Sequence, residues 1–309
     1  MSRDHYVAQT YLEKWCDPAN RDHLHVYRKS DLKCFPARPY DVCHEWDGDK
    51  TPGYLADESA LGKFRARFEP TWNRALEAAT RQRITDEDKF FISGYWANLT
   101  ATTPTSQNLG TDLYKREVEA LVAEIRKSHR PPASIAGAEI QTEIDPNFVK
   151  ATATKSLLQG AWQFYNQSWA LFSNDTEHPF LTSDNPSALI PAPPGQTSLR
   201  CLPLSPRLCI VAEMKRPVPV PNVADLSHLT KRASGTIRYG QANKDQARKL
   251  NRAIAVTAHD LVFSSKADAG VARLVEKYRD DGVRLHHKAF TAPTGEFFTY
   301  HSTYLGRKA

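Results

Sequence analysis

The chain has 309 residues, of which 40% are hydrophobic and 25% charged, the proportions of an ordinary globular protein. They exclude a disordered or fibrous chain, and no apolar run reaches the roughly 18 residues that a membrane helix needs. Five cysteines at irregular spacing argue against a disulfide framework, and the charged N-terminus has no secretory signal core. We therefore expect a cytoplasmic protein without a membrane partner, and the sequence does not set its oligomeric state.

The positive charge is concentrated in the last third of the chain. Residues 1–200 hold 23 basic and 26 acidic residues, whereas residues 201–309 hold 18 basic and 9 acidic ones. Such asymmetry favours an anionic partner, for which nucleic acid is the leading candidate. The alternative is a solvated basic surface that keeps the protein soluble.

The middle of the chain is predicted to be helical. Before the helices, the pattern favours a short helix and a hairpin, at residues 8–15, 23–28 and 32–35. Apolar spacing then predicts helices at 57–81 with a kink or boundary at Pro70, at 85–104, at 108–128 and at 146–167. Thr85 and Asp88 form a capping pattern at the start of the second of these helices.

Short apolar runs after residue 168 predict strands, at 169–173, 180–183, 187–190, 208–212 and 261–264. Two late helices are expected at 242–258 and 268–279, and two connections at 133–145 and 215–223. The last 25 residues give no clear element. The fold class is α+β, with a central, mostly antiparallel sheet and an inserted or flanking helical bundle. We expect one domain over 1–309, with a helical subdomain at 57–168.

Standard enzyme motifs are missing from the sequence. It has no phosphate-binding glycine loop, no G-x-S-x-G elbow and no H-E-x-x-H pair, and it holds only 14 glycines. A nucleotide-binding fold built on glycine loops and an α/β-hydrolase are therefore not expected.

Polar residues near the N-terminus form the first candidate site. His5 and Tyr6, with Gln9, precede an apolar helix face that can dock this segment against the core. Histidine serves as a general base or a metal ligand. The alternative is a packed histidine without chemistry.

The second candidate site is the loop that contains Cys43, His44 and Glu45 and several aspartates. Carboxylates can bind Mg²⁺ and a cysteine–histidine pair can bind Zn²⁺, but the spacing matches no established metal site. A solvated acidic loop is the alternative interpretation.

The third candidate is the end of a strand, where Thr182, Ser183, Asp184 and Asn185 precede Pro186. Strand ends beside loops often carry function, although an aspartate here can also cap its own backbone turn. A fourth candidate is the basic stripe of Lys244, Arg248 and Arg252 on a late helix, which can contact phosphates or simply face solvent.

Three stretches together resemble a bacterial family known as domain of unknown function 4238. They are HYVAQTYLEKW at the N-terminus, FLTSDNPSALI at residues 180–190 and LPLSPRLCIV shortly after it. Ala8 and Trp15 depart from the proline and phenylalanine usual in the family, which affects packing more than chemistry. The resemblance covers roughly residues 5–265 and brings no activity with it. It implies that His5, Tyr6, Gln9 and the residues 182–186 belong to family motifs.

These observations together predict a metal-dependent nuclease or related phosphodiester hydrolase that acts on an anionic substrate. The expected catalytic residues are His5, Glu69, Asp184 and Asn185. We expect His5, Asp184 and either Glu45 or Glu69 to line one cleft. Glu45 and Asp184 would bind Mg²⁺ or Mn²⁺. The expected substrate-binding residues are Tyr6, Gln9, Ser183, Lys244, Arg248 and Arg252. The alternatives are a non-catalytic nucleic-acid- or protein-binding module, and a hydrolase or transferase that acts on a small anionic molecule.

Overall fold

The computed structural model of the protein describes residues 1–17, 19, 22–128, 141–191, 198–213, 218, 233–294 and 296–307. The strands in this part of the chain are β1 Arg3–His5, β2 Leu24–Arg28, β3 Cys34–Ala37, β4 His44–Trp46, β5 Trp169–Ser173, β6 Thr182–Ser183, β7 Ala188–Ile190, β8 Leu199–Ser205, β9 Leu208–Glu213, β10 Ile237–Gln241, β11 Leu261–Ser264, β12 Asp281–Thr291 and β13 Phe297–Arg307. The helices are α1 Gln9–Leu12, α2 Ala60–Phe68, α3 Trp72–Thr80, α4 Asp86–Ala101, α5 Pro104–Ser128, α6 Pro146–Asn166, α7 Lys244–Thr257 and α8 Ala269–Lys277.

The strands form two main sheets and two smaller pairs, so the chain is α+β as expected. One sheet has the strand order β10-β5-β9-β8-β7, and only the β10–β5 pair is parallel. The other has the order β3-β2-β11-β6 and is antiparallel. Strands β1 and β4 pair near the N-terminus, and β12 and β13 form a long hairpin. The prediction of mostly antiparallel pairing is confirmed, but the strands are shared between two sheets.

Helices α1, α3, α4 and α6 share the main apolar core with the five-stranded sheet, whereas α7 and α8 pack in a second apolar cluster. Trp96 of α4 stacks on Phe164 of α6, with ring centroids 4.4 Å apart, and lies 6.0 Å from Trp169 of β5. Its indole Nε1 donates a hydrogen bond to Ser187 Oγ, just before β7. The same core includes Tyr11 of α1 and residues of β8 and β9. Burial of these large aromatic side chains holds the helices against the sheet.

Several local predictions are confirmed. The helix predicted over 57–81 is divided into α2 and α3 by a short 3₁₀ turn that contains Pro70, since proline cannot continue the hydrogen-bond ladder. Thr85 and Asp88 form both hydrogen bonds of a capping box at the start of α4. The connections predicted at 133–145 and 215–223 lie largely outside the described residues.

The sequence pattern missed several strands, among them the short β1 and β4. Strand β10 lies at the edge of the five-stranded sheet and pairs in parallel with β5. Its residues do not alternate regularly between buried and exposed positions, so the sequence gives no strand signal. The unassigned end of the chain forms the hairpin of β12 and β13, which have 11 residues each. Among the described helices, none has the length and apolar character required to cross a membrane.

Candidate functional site

A cleft of about 490 Å³ lies where the β1–β4 pair and α1 meet α2 and the turn that follows it. We call it the N-terminal cleft; its lining residues are Arg3, Asp4, His5, Ala8, Gln9, Thr10, Glu13, Asp49, Gly62, Arg65, Ala66 and Glu69. Pairing of β1 with β4 places His5 opposite His44 and Asp4 opposite Glu45. The first two candidate sequences, near residues 5 and 44, are therefore adjacent in the fold.

The ring of His5 is held at both nitrogens. Nε2 lies 3.1 Å from the Tyr40 carbonyl oxygen, so it carries the proton and donates, and Nδ1 lies 3.4 Å from Gln9 Nε2 and accepts. Burial lowers the pKa of His5 below its usual 6.5, and the neighbouring His44, 5.6 Å away between ring centroids, acts in the same direction. His5 is therefore neutral at pH 7, with Nδ1 as its basic atom.

Arg65 forms the floor of the N-terminal cleft and is anchored by three side chains. Its guanidinium donates to Asn98 Oδ1 and Thr102 Oγ1, each at 3.1 Å, and makes a short contact with Asp49 Oδ1. Three of the five N–H groups of Arg65 are used by these partners, so the guanidinium holds Asp49 in place and keeps one further N–H on each of Nη1 and Nη2. The sequence carries a signal for this residue, because Arg65 lies on the apolar face of α2 with Leu61 and Phe68.

Glu69 lies in the turn after α2, and its carboxylate lines the cleft opposite α1. Burial raises the pKa of Glu69 above its usual 4.5 and outweighs the attraction of Arg65. Burial likewise raises the pKa of Asp49, although Arg65 opposes that shift. The structure thus brings together His5, Gln9 and Glu69, three of the residues that the sequence singled out.

Asp184 and Asn185 do not line this cleft, and this corrects the expectation that they join His5 there. The Asp184 carboxylate is buried and accepts hydrogen bonds, each of 2.8 Å, from the backbone N–H groups of His259, Asp260 and Leu261. It thereby binds the connection between α7 and β11. A carboxylate used in this way by the backbone is a structural anchor, which corrects the metal-binding role expected for Asp184.

Asn185 and Ser183 complete the same anchor. Asn185 donates from Nδ2 to the Thr257 carbonyl at the end of α7 and accepts from Thr103 Oγ1, just before α5. Ser183 Oγ accepts from the backbone N–H of Asn185. The motif at residues 182–186 therefore ties the start of α5 to the end of α7, and its polar side chains bond to other groups of the protein, both backbone and side chain.

Tyr6 and Glu45 lie beside the N-terminal cleft and are not among its lining residues. The Tyr6 backbone N–H donates to the Cys43 carbonyl at 2.9 Å, and burial raises the pKa of the Tyr6 hydroxyl far above its usual value. The Glu45 carboxylate is 3.6 Å from Lys150 Nζ on α6. Neither residue is therefore placed to contact a substrate in the cleft, which corrects the roles expected from the sequence.

The three basic residues predicted on α7 lie elsewhere in the fold. Arg248 and Arg252 line a second groove, between α7 and α8, which also includes His178 and Arg273. We call it the basic groove. Lys244 instead pairs with Glu177, at 2.6 Å between Nζ and Oε1. The basic groove shares no lining residue with the N-terminal cleft, so these arginines are not placed to bind a substrate in that cleft.

Within the described part of the chain, no group of three or more histidine, cysteine, aspartate or glutamate side chains is arranged to hold a metal ion. This is consistent with the Glu45–Lys150 ion pair and with the use of Asp184 by the backbone. A cation in the N-terminal cleft would therefore share only one or two protein carboxylates.

The family comparison agrees with the resemblance seen in the motifs. A family model with the description "Protein of unknown function (DUF4238)" matches residues 3–268. No curated protein and no solved structure matches the chain. The matched segment includes the N-terminal cleft and the Asp184 anchor, and it covers most of the chain. The protein therefore belongs to the DUF4238 family.

Proposed function

We propose that this protein is a phosphodiester hydrolase that uses general acid–base catalysis, with His5 and Glu69 as the acid–base pair. One observation carries the proposal: both side chains line one cleft, and burial moves their pKa values toward each other. Titratable groups whose pKa values are shifted by burial and neighbouring charges cluster at functional sites.

In this mechanism one member of the pair removes a proton from the attacking hydroxyl or water, and the other protonates the leaving oxygen. Nδ1 of His5 is the basic atom, since Nε2 is committed to the Tyr40 carbonyl. Gln9 must release Nδ1 when the substrate binds, and its long 3.4 Å contact makes that exchange inexpensive in free energy.

The charge of the cleft bears on the cofactor. Four carboxylates, of Asp4, Glu13, Asp49 and Glu69, face only the guanidinium groups of Arg3 and Arg65. A phosphodiester would be repelled by this excess of negative charge unless a cation came with it. Mg²⁺ or Mn²⁺ bound to substrate phosphate and to one or two carboxylates would remove the repulsion, so we propose that the reaction requires one of these ions.

The test is cleavage of labelled RNA, single-stranded DNA and duplex DNA by the purified protein with Mg²⁺, Mn²⁺ or EDTA. His5→Ala and Glu69→Gln are each expected to lower the rate by about 10²- to 10⁴-fold, the usual contribution of a general acid or base. Glu276→Gln, on the exposed side of α8, is the matched control and should cleave like the parent protein. Full activity in folded His5→Ala and Glu69→Gln proteins, or no cleavage under any condition, would refute the proposal.

A second candidate function is nucleic-acid binding without turnover, and the basic groove supports it. Arg248, Arg252 and Arg273 line this groove with His178, against a single acidic lining residue, Asp268. Contacts of arginine with phosphates weaken steeply as salt rises. Salt-sensitive binding that is lost in Arg248→Gln and kept in Glu69→Gln, without cleavage, would establish this function in place of the first.

A further inference from the structure

A cavity of about 560 Å³ lies between the first turns of α5, the end of α7 and the β12–β13 hairpin. We call it the hairpin pocket. Thr105 and Arg116 of α5, Arg284 of β12, and Tyr304 and Arg307 of β13 line it. It shares no lining residue with the N-terminal cleft, so it is a separate site. The Asp184–Asn185 anchor lies behind it and fixes its two helical walls.

Three polar atoms, on two side chains of this pocket, have no hydrogen-bond partner among the described residues. Nε and Nη2 of Arg284 are buried, and among the described residues nothing accepts a hydrogen bond from them. Thr105 is only 8% exposed, and its Oγ1 has no partner in the same part of the chain. Burying a guanidinium group without an acceptor is costly. An unpartnered guanidinium and an unpartnered hydroxyl that line one cavity indicate a ligand that supplies acceptor oxygens.

The charge of the hairpin pocket selects an anion. Arg116 donates from Nε to Asp112 at 2.9 Å, and Arg307 Nε is 4.0 Å from Asp281, with its side chain 87% exposed. Arg284 has no such counter-charge among the described residues. Arginine is the side chain best suited to phosphate oxygens because its planar fork donates two parallel hydrogen bonds.

The hairpin register creates the space for this ligand. Gly282 pairs with Gly306, and Arg284 pairs with Tyr304 directly across the two strands. A Cβ atom added at Gly282 would meet only Arg284 Nη2, at 4.0 Å, so the volume above this glycine is open. The Tyr304 ring is half exposed beside it, which leaves an aromatic face available for stacking.

We propose that the hairpin pocket binds a nucleoside phosphate, with the phosphate on Arg284 and Thr105 and the base against Tyr304. Its volume is within the range of small-molecule pockets. This inference does not depend on the proposed hydrolase function. The hairpin lies outside the matched residues 3–268, whereas α5 and the anchor lie within them.

The experiment is isothermal titration of the full chain at low salt with AMP, ATP, inorganic phosphate and adenosine. AMP is expected to bind at least about tenfold more tightly than adenosine, because charge-assisted hydrogen bonds to phosphate supply the difference. Arg284→Gln should weaken AMP binding by at least about tenfold. Gly282→Val should abolish it by filling the open volume while leaving the charge unchanged. Arg238→Gln, an exposed arginine on β10, is the control and should bind like the parent protein.

Several outcomes would overturn the proposal. Failure of the folded parent protein to bind AMP, ATP or phosphate at millimolar concentration would refute the proposed nucleoside-phosphate site. Equal AMP affinity of the Arg284→Gln and Arg238→Gln variants would show that Arg284 does not bind the ligand. Equal affinity of the parent protein for AMP and adenosine would show that the phosphate is not recognised. Equal affinity for AMP and inorganic phosphate would remove the role of Tyr304. AMP binding that persists in His5→Ala would distinguish this pocket from the hydrolase site.

Discussion

Replacing Asp184 by asparagine removes the charge that holds the connection between α7 and β11. In the native protein Oδ1 accepts from the His259 N–H, and Oδ2 accepts from the N–H groups of Asp260 and Leu261. Asparagine has one acceptor oxygen. In the better of its two orientations, the amide oxygen accepts from the N–H groups of Asp260 and Leu261, and the NH₂ group faces the N–H of His259. We therefore expect Asp184→Asn to lower stability, because a buried donor loses its acceptor.

The magnitude follows from these contacts. One unsatisfied buried N–H costs about 1–3 kcal/mol, and the two remaining bonds lose their charge-assisted part, roughly 1 kcal/mol each. The desolvation of the carboxylate, which raises the pKa of Asp184, is relieved by the substitution and offsets part of this loss. The expected decrease in the free energy of unfolding is about 2–4 kcal/mol.

Urea denaturation followed by circular dichroism measures this change. Asp280→Asn is the matched control, since its carboxylate is 67% exposed and lies only 3.7 Å from the neighbouring Arg279; it should change stability by less than about 0.5 kcal/mol. If Asp184→Asn proved as stable as the control while losing all catalytic activity, the structural role assigned to Asp184 would be refuted and its catalytic role restored.

Three further predictions test other parts of the structure. Since one of His5 and Glu69 must hold a proton and the other must not, kcat/KM should be bell-shaped, with its two limbs set by the lowered pKa of His5 and the raised pKa of Glu69. A flat profile from pH 5 to 8 would contradict the pairing. Lys29→Met should lower the free energy of unfolding by about 2–4 kcal/mol, because the buried Nζ donates to carbonyl groups at the end of α7 and the start of β12. Urea melts measure this change, and an unchanged midpoint would show that these bonds contribute nothing. Burial lowers the pKa of Lys89 from 10.5 to about 8, so between these values the unfolded chain binds more protons at this residue and its contribution to stability rises with pH. Buried thiols and phenols with raised pKa values, such as those of Cys43 and Tyr95, act in the opposite direction in both proteins. In urea melts the stability of the parent relative to Lys89→Met should therefore increase from pH 8 to 10.5, and a constant difference would contradict the lowered pKa.

Much of the local structure follows from short stretches of sequence. The capping box at Thr85, the break at Pro70 and the apolar spacing of α4 and α6 depend on neighbours within a turn or two, so the pattern alone predicts them. Strand β10 has no such signal, because its parallel pairing with β5 depends on a partner about 70 residues away.

The candidate site shows the same difference between what local sequence predicts and what tertiary contacts decide. Residue types alone marked His5 and Asp184 as polar groups at motif positions, and in this they are alike. Tertiary contacts gave them different surroundings, because His5 borders an open cleft whereas Asp184 meets three backbone donors from a segment 75 to 77 residues later. The side chain sets which hydrogen bonds a residue can form, and only the folded chain determines whether protein backbone or a ligand forms them.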